Sequence, residues 1–175
     1  DLFKKGSIIF GLYQARNAII KEDKVFWAEG QFDVLSWVKS GIENTVGGSG
    51  TAMTTNHLKQ LTRFTRNITL VFDGDKAGQA AAIKSIENLL PEGANVRCIP
   101  LPDGEDPDSF ARKLSPDKLK QYIKNTEVDF LSFLVDIYKE TLADPIKSEE
   151  TLSKLLKLLA HVEKATLRET YLKTL

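Results

Sequence analysis

The sequence predicts an α/β fold: a central, mostly parallel four-stranded sheet flanked by helices, followed by a C-terminal helical bundle. Three observations carry this. Short β-branched and apolar runs alternate with helix-length amphipathic segments up to about residue 112. Glycine, aspartate or proline punctuates the ends of those runs. Beyond Ser115 the strand signal stops and helix-spaced apolar residues take over. Alternation of this kind builds right-handed crossovers between parallel strands, so every strand points its carboxyl end to one edge of the sheet.

Each element has a local reason. Val25-Phe26-Trp27-Ala28 is an apolar run suited to a buried strand, and Gly30 closes it. A helix follows with Val34, Leu35 and Val38 expected on one face, stopping near Gly41. Asn44-Thr45-Val46 is a short second strand, and Gly47-Gly48-Ser49-Gly50 a flexible loop. Thr54 or Thr55 caps a helix carrying Leu58, Leu61 and Phe64. Ile68-Thr69-Leu70-Val71-Phe72 is the clearest strand. The next helix runs from about Lys76 to Leu90, with Ala80, Ile83 and Ile86 at helical spacing, and Pro91 and Gly93 stop it. Asn95 to Leu101 is the fourth strand. Ser115-Pro116 then supplies a cap and a first-turn proline. Phe130, Leu131, Leu134, Ile137 and Tyr138 form one apolar stripe, and Leu152, Leu155, Leu156 and Leu159 another, with Asp144-Pro145 breaking between them. This bundle is expected to pack on itself or on the sheet.

Composition bounds the function. The chain has 175 residues, enough for one sizeable core with an appendage. Hydrophobic residues at 42% and charged residues at 27% exclude wholesale disorder. Lys plus Arg and Asp plus Glu are 24 each, which argues against a protein that coats DNA with a basic excess. Charge separated locally is still compatible with nucleic acid. Cys98 is the sole cysteine, so no intramolecular disulfide forms, and with His57 and His161 far apart no Cys/His zinc site assembles. No signal peptide or membrane span is legible. The sequence opens on Asp1 rather than Met and is expected to begin inside a larger protein.

The acidic residues fall in a pattern. Glu29 ends the first strand in Ala28-Glu29-Gly30, and Asp73 and Asp75 follow the third in Phe72-Asp73-Gly74-Asp75. Asp103, Glu105, Asp106 and Asp108 follow the fourth. Parallel strands bring these sets to one edge, where ligands of open α/β sheets bind. Clustered carboxylates repel, and a hard cation such as Mg²⁺ relieves that. In Asp-Gly-Asp both side chains can reach one ion, and Asp106-Pro107-Asp108 repeats the spacing with a stiff centre. Asp33 stands four residues after Glu29 in the next helix's first turn. Taken singly, Asp75 or Asp108 reads as a helix cap and Asp-Gly as a turn. The conjunction of all three sets points to metal.

At these residues the chain resembles the Toprim domain shared by bacterial-type primases, topoisomerases and related nucleases, whose pattern is a Glu after one strand and a DxD after another. The finer resemblance is to the bacterial replicative DNA primase family. Phe10 to Arg16 is similar to the segment leading into the primase Toprim, and Ala28-Glu29-Gly30-Gln31-Phe32-Asp33-Val34 to its VEGYMDV. Ser49-Gly50-Thr51-Ala52 resembles its SxGTA loop, Asp73 to Gly78 its DGDxAG, and Leu101 to Asp108 its LPDGEDPD. Gln31-Phe32 departs from the usual Tyr-Met and Ala28 from Val, and neither change removes a ligand.

The resemblance implies a segment of the RNA polymerase domain. Residues 1–20 would lead in from the preceding subdomain, 21–114 form the Toprim domain and 115–175 the helical subdomain. The implied reaction is template-directed RNA primer synthesis by Mg²⁺-dependent nucleotidyl transfer, with Mn²⁺ able to substitute. Zinc is expected only in a separate domain absent from these residues. Glu29, Asp73 and Asp75 are the implied catalytic residues, and with Asp106, Asp108 and Asp33 the implied metal set. Lys4, Lys5, Arg16, Ser49, Thr51 and Lys76 are candidates for nucleotide or nucleic-acid contact. The expected partners are single-stranded DNA template, ribonucleoside triphosphates and, through an absent domain, the replicative helicase. The protein is expected to be a monomer working at the replication fork in the bacterial cytoplasm. Another Toprim phosphodiester enzyme, a topoisomerase or nuclease, and a non-catalytic metal-binding Toprim module are the competing readings; no tyrosine carries a supporting strand-attack motif.

Overall fold

The computed structural model describes residues 8–48, 50 and 52–173. Lys4, Lys5, Ser49 and Thr51 lie outside the described residues. Five strands form one sheet: β1 (Val25–Ala28), β2 (Thr45–Gly47), β3 (Asn67–Val71), β4 (Asn95–Ile99) and β5 (Val128–Asp129). Their order is β2-β1-β3-β4-β5. The first four are mutually parallel, and β5 runs antiparallel to β4, with Arg97 opposite Asp129 and Cys98 opposite Val128.

Helices cover both faces. They are α1 (Leu12–Glu22), α2 (Gln31–Lys39), α3 (Thr55–Leu61), α4 (Lys76–Leu89), α5 (Pro107–Lys113), α6 (Pro116–Thr126), α7 (Phe130–Ile137), α8 (Lys139–Leu142), α9 (Ser148–Leu159) and α10 (Ala165–Leu172). Strand alternation divides the core in two. Val25 and Trp27 of β1, Ile68 and Leu70 of β3, and Val96 and Cys98 of β4 pack on one face with α1, α3, α4, α7 and α9. Phe26, Val71 and Ile99 point to the other face and meet Trp37 of α2, Phe110 of α5, and Leu119 and Ile123 of α6. Caps set several helix starts: Thr54 accepts from the His57 N–H, and Ser115 accepts from the Lys118 N–H.

Three expectations change. The four-stranded sheet has a fifth strand, whose two residues are too short to show any alternation in sequence. An ionic latch lies beside it: Glu127 accepts from Lys24 Nζ at 2.9 and 3.0 Å and from the Thr69 hydroxyl at 2.8 Å, and Arg97 Nε approaches at 3.3 Å. On α2, Leu35 and Val38 face solvent at 54% and 38% exposure, because Val34 and the fully buried Trp37 fill the inward positions. On α9, Leu156 is exposed and Leu158 takes its place in the core. The C-terminal helices pack on the sheet, and both cores run across residues 114/115: Phe110 and Leu119 share one, Cys98 and Leu131 the other. Among the described residues, no helix is long and apolar enough to cross a membrane.

Candidate active site

The strand order creates the site. The chain steps from β1 outward to β2, then returns past β1 to add β3 on its other side. Where the order reverses, the crossovers leave a crevice at the carboxyl ends of the two central strands. Glu29 follows β1 directly, and Asp73 follows β3 after the buried Phe72. Both acids therefore flank the reversal point.

Their surroundings are close-packed backbone. Gly74 donates its N–H to the Glu105 carbonyl at 2.8 Å, joining the loop after β3 to the loop after β4. A Cβ on Gly74 would stand 2.1 Å from the Pro102 carbonyl oxygen, and one on Gly78 would stand 2.2 Å from that of Asp73. Glycine is required at both positions by contact.

The carboxylates divide by what they already hold. Among the described residues, neither Glu29 nor Asp73 has an ion-pair or hydrogen-bond partner for its carboxylate. Asp75 caps α4, with Oδ1 accepting from the Gly78 N–H at 2.8 Å. Asp106 caps α5, with Oδ1 accepting from the Ser109 N–H at 2.8 Å. Asp33 accepts the Gly30 N–H on Oδ2 at 2.8 Å, which fixes the peptide after Glu29. Among the described residues, Asp75 and Asp106 each keep one oxygen without a hydrogen bond. Asp108 differs: Oδ1 accepts from the Ser36 hydroxyl and from Arg112 Nε (2.9 Å), and Oδ2 pairs with Arg112 Nη2 at 2.5 Å. Sequence reasoning missed Ser36, Trp37 and Arg112. The Asp108–Arg112 spacing of four on one helix is the signal that marks the last of them.

Electrostatics joins the acids. Burial, then the charges of Asp73 and Asp75, push the Glu29 carboxyl above its ordinary value. Burial, then Asp106 and Asp75, do the same to Asp73. Burial raises Asp33 to about 6; the N–H groups of Gly30 and Asp108 oppose this, and the charges of Asp73 and Asp106 add to it. Five of the six predicted acids thus feel one another.

Among the described residues, no three His, Cys, Asp or Glu side chains are gathered closely enough to hold an ion as they stand. The donor set nevertheless fits a hard divalent cation in kind: oxygen donors only, mutual repulsion and, among the described residues, no lysine or arginine paired with Glu29 or Asp73. Arg16 and Lys76 are exposed. The Arg16 guanidinium stands 4.4 Å from the centre of the Tyr13 ring, and Lys76 opens α4 next to Asp75.

A parallel sheet with a glutamate after β1 and an Asp-Gly-Asp after β3 defines a Toprim-like domain, and residues 26–111 match the Toprim-like family model. Over 160 residues the chain is 37% identical to the DNA primase of Staphylococcus aureus (strain COL), covering 91% of this chain and 26% of that protein. Over 141 residues it is 34% identical to the DNA primase of Staphylococcus epidermidis, covering 81% and 24%. A DnaG primase catalytic domain bound to ssDNA superimposes with a TM-score of 0.84 at 30% identity, over 99% of this chain and 57% of that one. A DNA primase domain from Pseudomonas aeruginosa gives 0.82 at 33% identity, over 97% and 54%. The chain is similar to DNA primases over most of its own length and spans about a quarter of the length of the curated relatives it matches.

Proposed function

We propose that this chain is the catalytic core of a DNA primase, a template-directed RNA polymerase that makes short RNA primers by nucleotidyl transfer. One observation carries the reading: Glu29 and Asp73, two partly buried carboxylates at the ends of adjacent parallel strands, have no cation of the chain beside them among the described residues. We assign Mg²⁺, with Mn²⁺ as substitute, to Glu29, Asp73, Asp75, Asp106 and Asp33. When bound, the ion supplies charge neutralisation at the nucleotide triphosphate and acidifies the primer 3′-hydroxyl.

The chain's own residues do the rest. Glu29, whose carboxyl burial and the charges of Asp73 and Asp75 push above its ordinary value, is the most sensitive residue of the site. Asp75 and Asp106 each keep one oxygen on a helix's first turn, which fixes the rotation of the carboxyl group. Gly74 and Gly78 let backbone approach where a side chain would block it. Arg16 and Lys76, together with Lys4, Lys5, Ser49 and Thr51, are offered to nucleotide or template. Single-stranded DNA and ribonucleoside triphosphates are the substrates of this reading. The replicative helicase is reached through a domain outside these residues, and the protein works as a monomer in the cytoplasm.

Titration of the 175-residue chain with Mn²⁺, followed by electron paramagnetic resonance of the free ion, tests the assignment. Glu29→Gln or Asp73→Asn is expected to weaken binding at least tenfold, while Glu149→Gln on the exposed start of α9 leaves it unchanged. Equal binding by all four proteins overturns the assignment.

A further inference from the structure

We propose that Asp108 is a positioning residue of this site and not one of its ion ligands: with Ser36 and Arg112 it clamps the first turn of α5 to α2, and so sets where Asp106 stands relative to Glu29. The inference rests on the ion-binding reading above. It starts from the placement of the two helices. α2 begins two residues after Glu29, and its Asp33 holds the Gly30 N–H. α5 begins directly after its cap, Asp106. Through the sheet, these two acids are joined only by way of β1, β3 and β4.

The direct link is made by side chains at the start of α5. The indole Nε1–H of the fully buried Trp37 donates to the Pro107 carbonyl at 3.0 Å. One residue earlier on α2, the Ser36 hydroxyl donates to Asp108 Oδ1. On the solvent side Arg112 grips Asp108 side-on, Nε to Oδ1 at 2.9 Å and Nη2 to Oδ2 at 2.5 Å. A carboxylate offers about four lone-pair directions, and Asp108 has three in use. Asp106 and Asp75 have one each in use. Side-on guanidinium contact also neutralises the charge an ion would need. Asp108 therefore has the position of a ligand but the bonding of a brace.

The test uses the 175-residue chain as wild type, Asp108→Asn, Arg112→Met and the double variant. Mn²⁺ affinity is measured as above, with Glu29→Gln as reference. In metal-free protein, hydrogen exchange of the Trp37 indole N–H is followed by NMR against the Trp27 indole, which lies in the other core. Each single substitution is expected to weaken Mn²⁺ binding by about tenfold, the range of outer-shell brace mutations. The double variant is expected to be no weaker than either single one, because both break one clamp. Exchange of the Trp37 indole is expected to quicken in all three variants, with that of Trp27 unchanged.

Two results overturn the clamp. One is an Asp108→Asn loss that Arg112→Met does not share, or single losses that multiply in the double variant; that is the signature of a ligand. The other is Trp37 exchange unmoved by either substitution. If the wild type binds no Mn²⁺, or binds it regardless of Glu29→Gln, the ion-binding reading fails instead, and the indole exchange alone decides the clamp.

Discussion

Gly74 and Glu105 are joined backbone to backbone, N–H to carbonyl at 2.8 Å, with the Gly74 Cα set against the Pro102 carbonyl. This single contact ties the acidic loop after β3 to the acidic loop after β4. It fixes Asp73 and Asp75 on one side relative to Asp106 on the other. Lys113 reinforces the arrangement by gripping the Glu105 carboxylate at 2.6 and 2.8 Å, which holds that carboxyl below its ordinary range.

Gly74→Ala is expected to push these loops apart. A Cβ would meet backbone at 2.1 Å, and backbone cannot rotate away as a side-chain tip can. The cost is about 1–3 kcal/mol of stability, as for other overpacked sites. Gly104→Ala is the matched comparison. Its Cβ meets no atom within 4 Å, so only the strain of its φ of +76° is felt. Chemical denaturation of both variants checks the ranking, and a larger loss for Gly104→Ala contradicts it.

Removing the Glu127 carboxylate unlatches the C-terminal helices from the sheet. Glu127→Ala leaves the Thr69 hydroxyl buried and unsatisfied and separates two cations from their partner. We expect a loss of about 1–3 kcal/mol. Asp136→Ala, which breaks an exposed pair with Lys139, should change stability by less than about 0.5 kcal/mol. Equal effects in thermal unfolding contradict the latch.

Asp33 gives the metal-free protein a pH signature. Its carboxyl is raised from 3.8 to about 6 in the fold, so folding favours the protonated form. That contribution is fully present below about pH 3.8 and is lost as pH rises through about 6. Asp33→Asn keeps an acceptor for the Gly30 N–H but cannot ionise. The Tm of wild type relative to Asp33→Asn should therefore fall between pH 4 and pH 7, and saturating Mg²⁺ should reduce the fall by favouring the ionised carboxylates. A Tm difference independent of pH contradicts the buried-acid account.

Much of this was legible in the residues. The apolar runs of β1, β3 and β4 carry their own signal because both faces of these strands are covered, and the acids sit at strand ends because parallel crossovers leave them there. β5 was not legible, since two residues show no period and its place is set by the Glu127 latch. The inward face of α2 is not legible from spacing, because Leu35 and Val38 are as apolar and as well spaced around Val34 as Trp37 is. In the fold, the larger Trp37 side chain takes the interior and reaches Pro107. Spacing alone does not separate the acids that cap helices from those without a partner among the described residues. Only the hydrogen bonds of Asp75, Asp106 and Asp108 make that distinction.

RNA primer synthesis distinguishes catalytic carboxylates from carboxylates that only hold an ion. Incorporation of ribonucleoside triphosphates on a single-stranded DNA template with Mg²⁺ is measured for this chain fused to the flanking segments of a DNA primase it matches. The wild type is expected to incorporate ribonucleotides, and Glu29→Gln to lose at least a thousandfold with the fold intact, on the order of 4 kcal/mol of transition-state stabilisation. Undiminished primer synthesis by Glu29→Gln would contradict the catalytic role of Glu29.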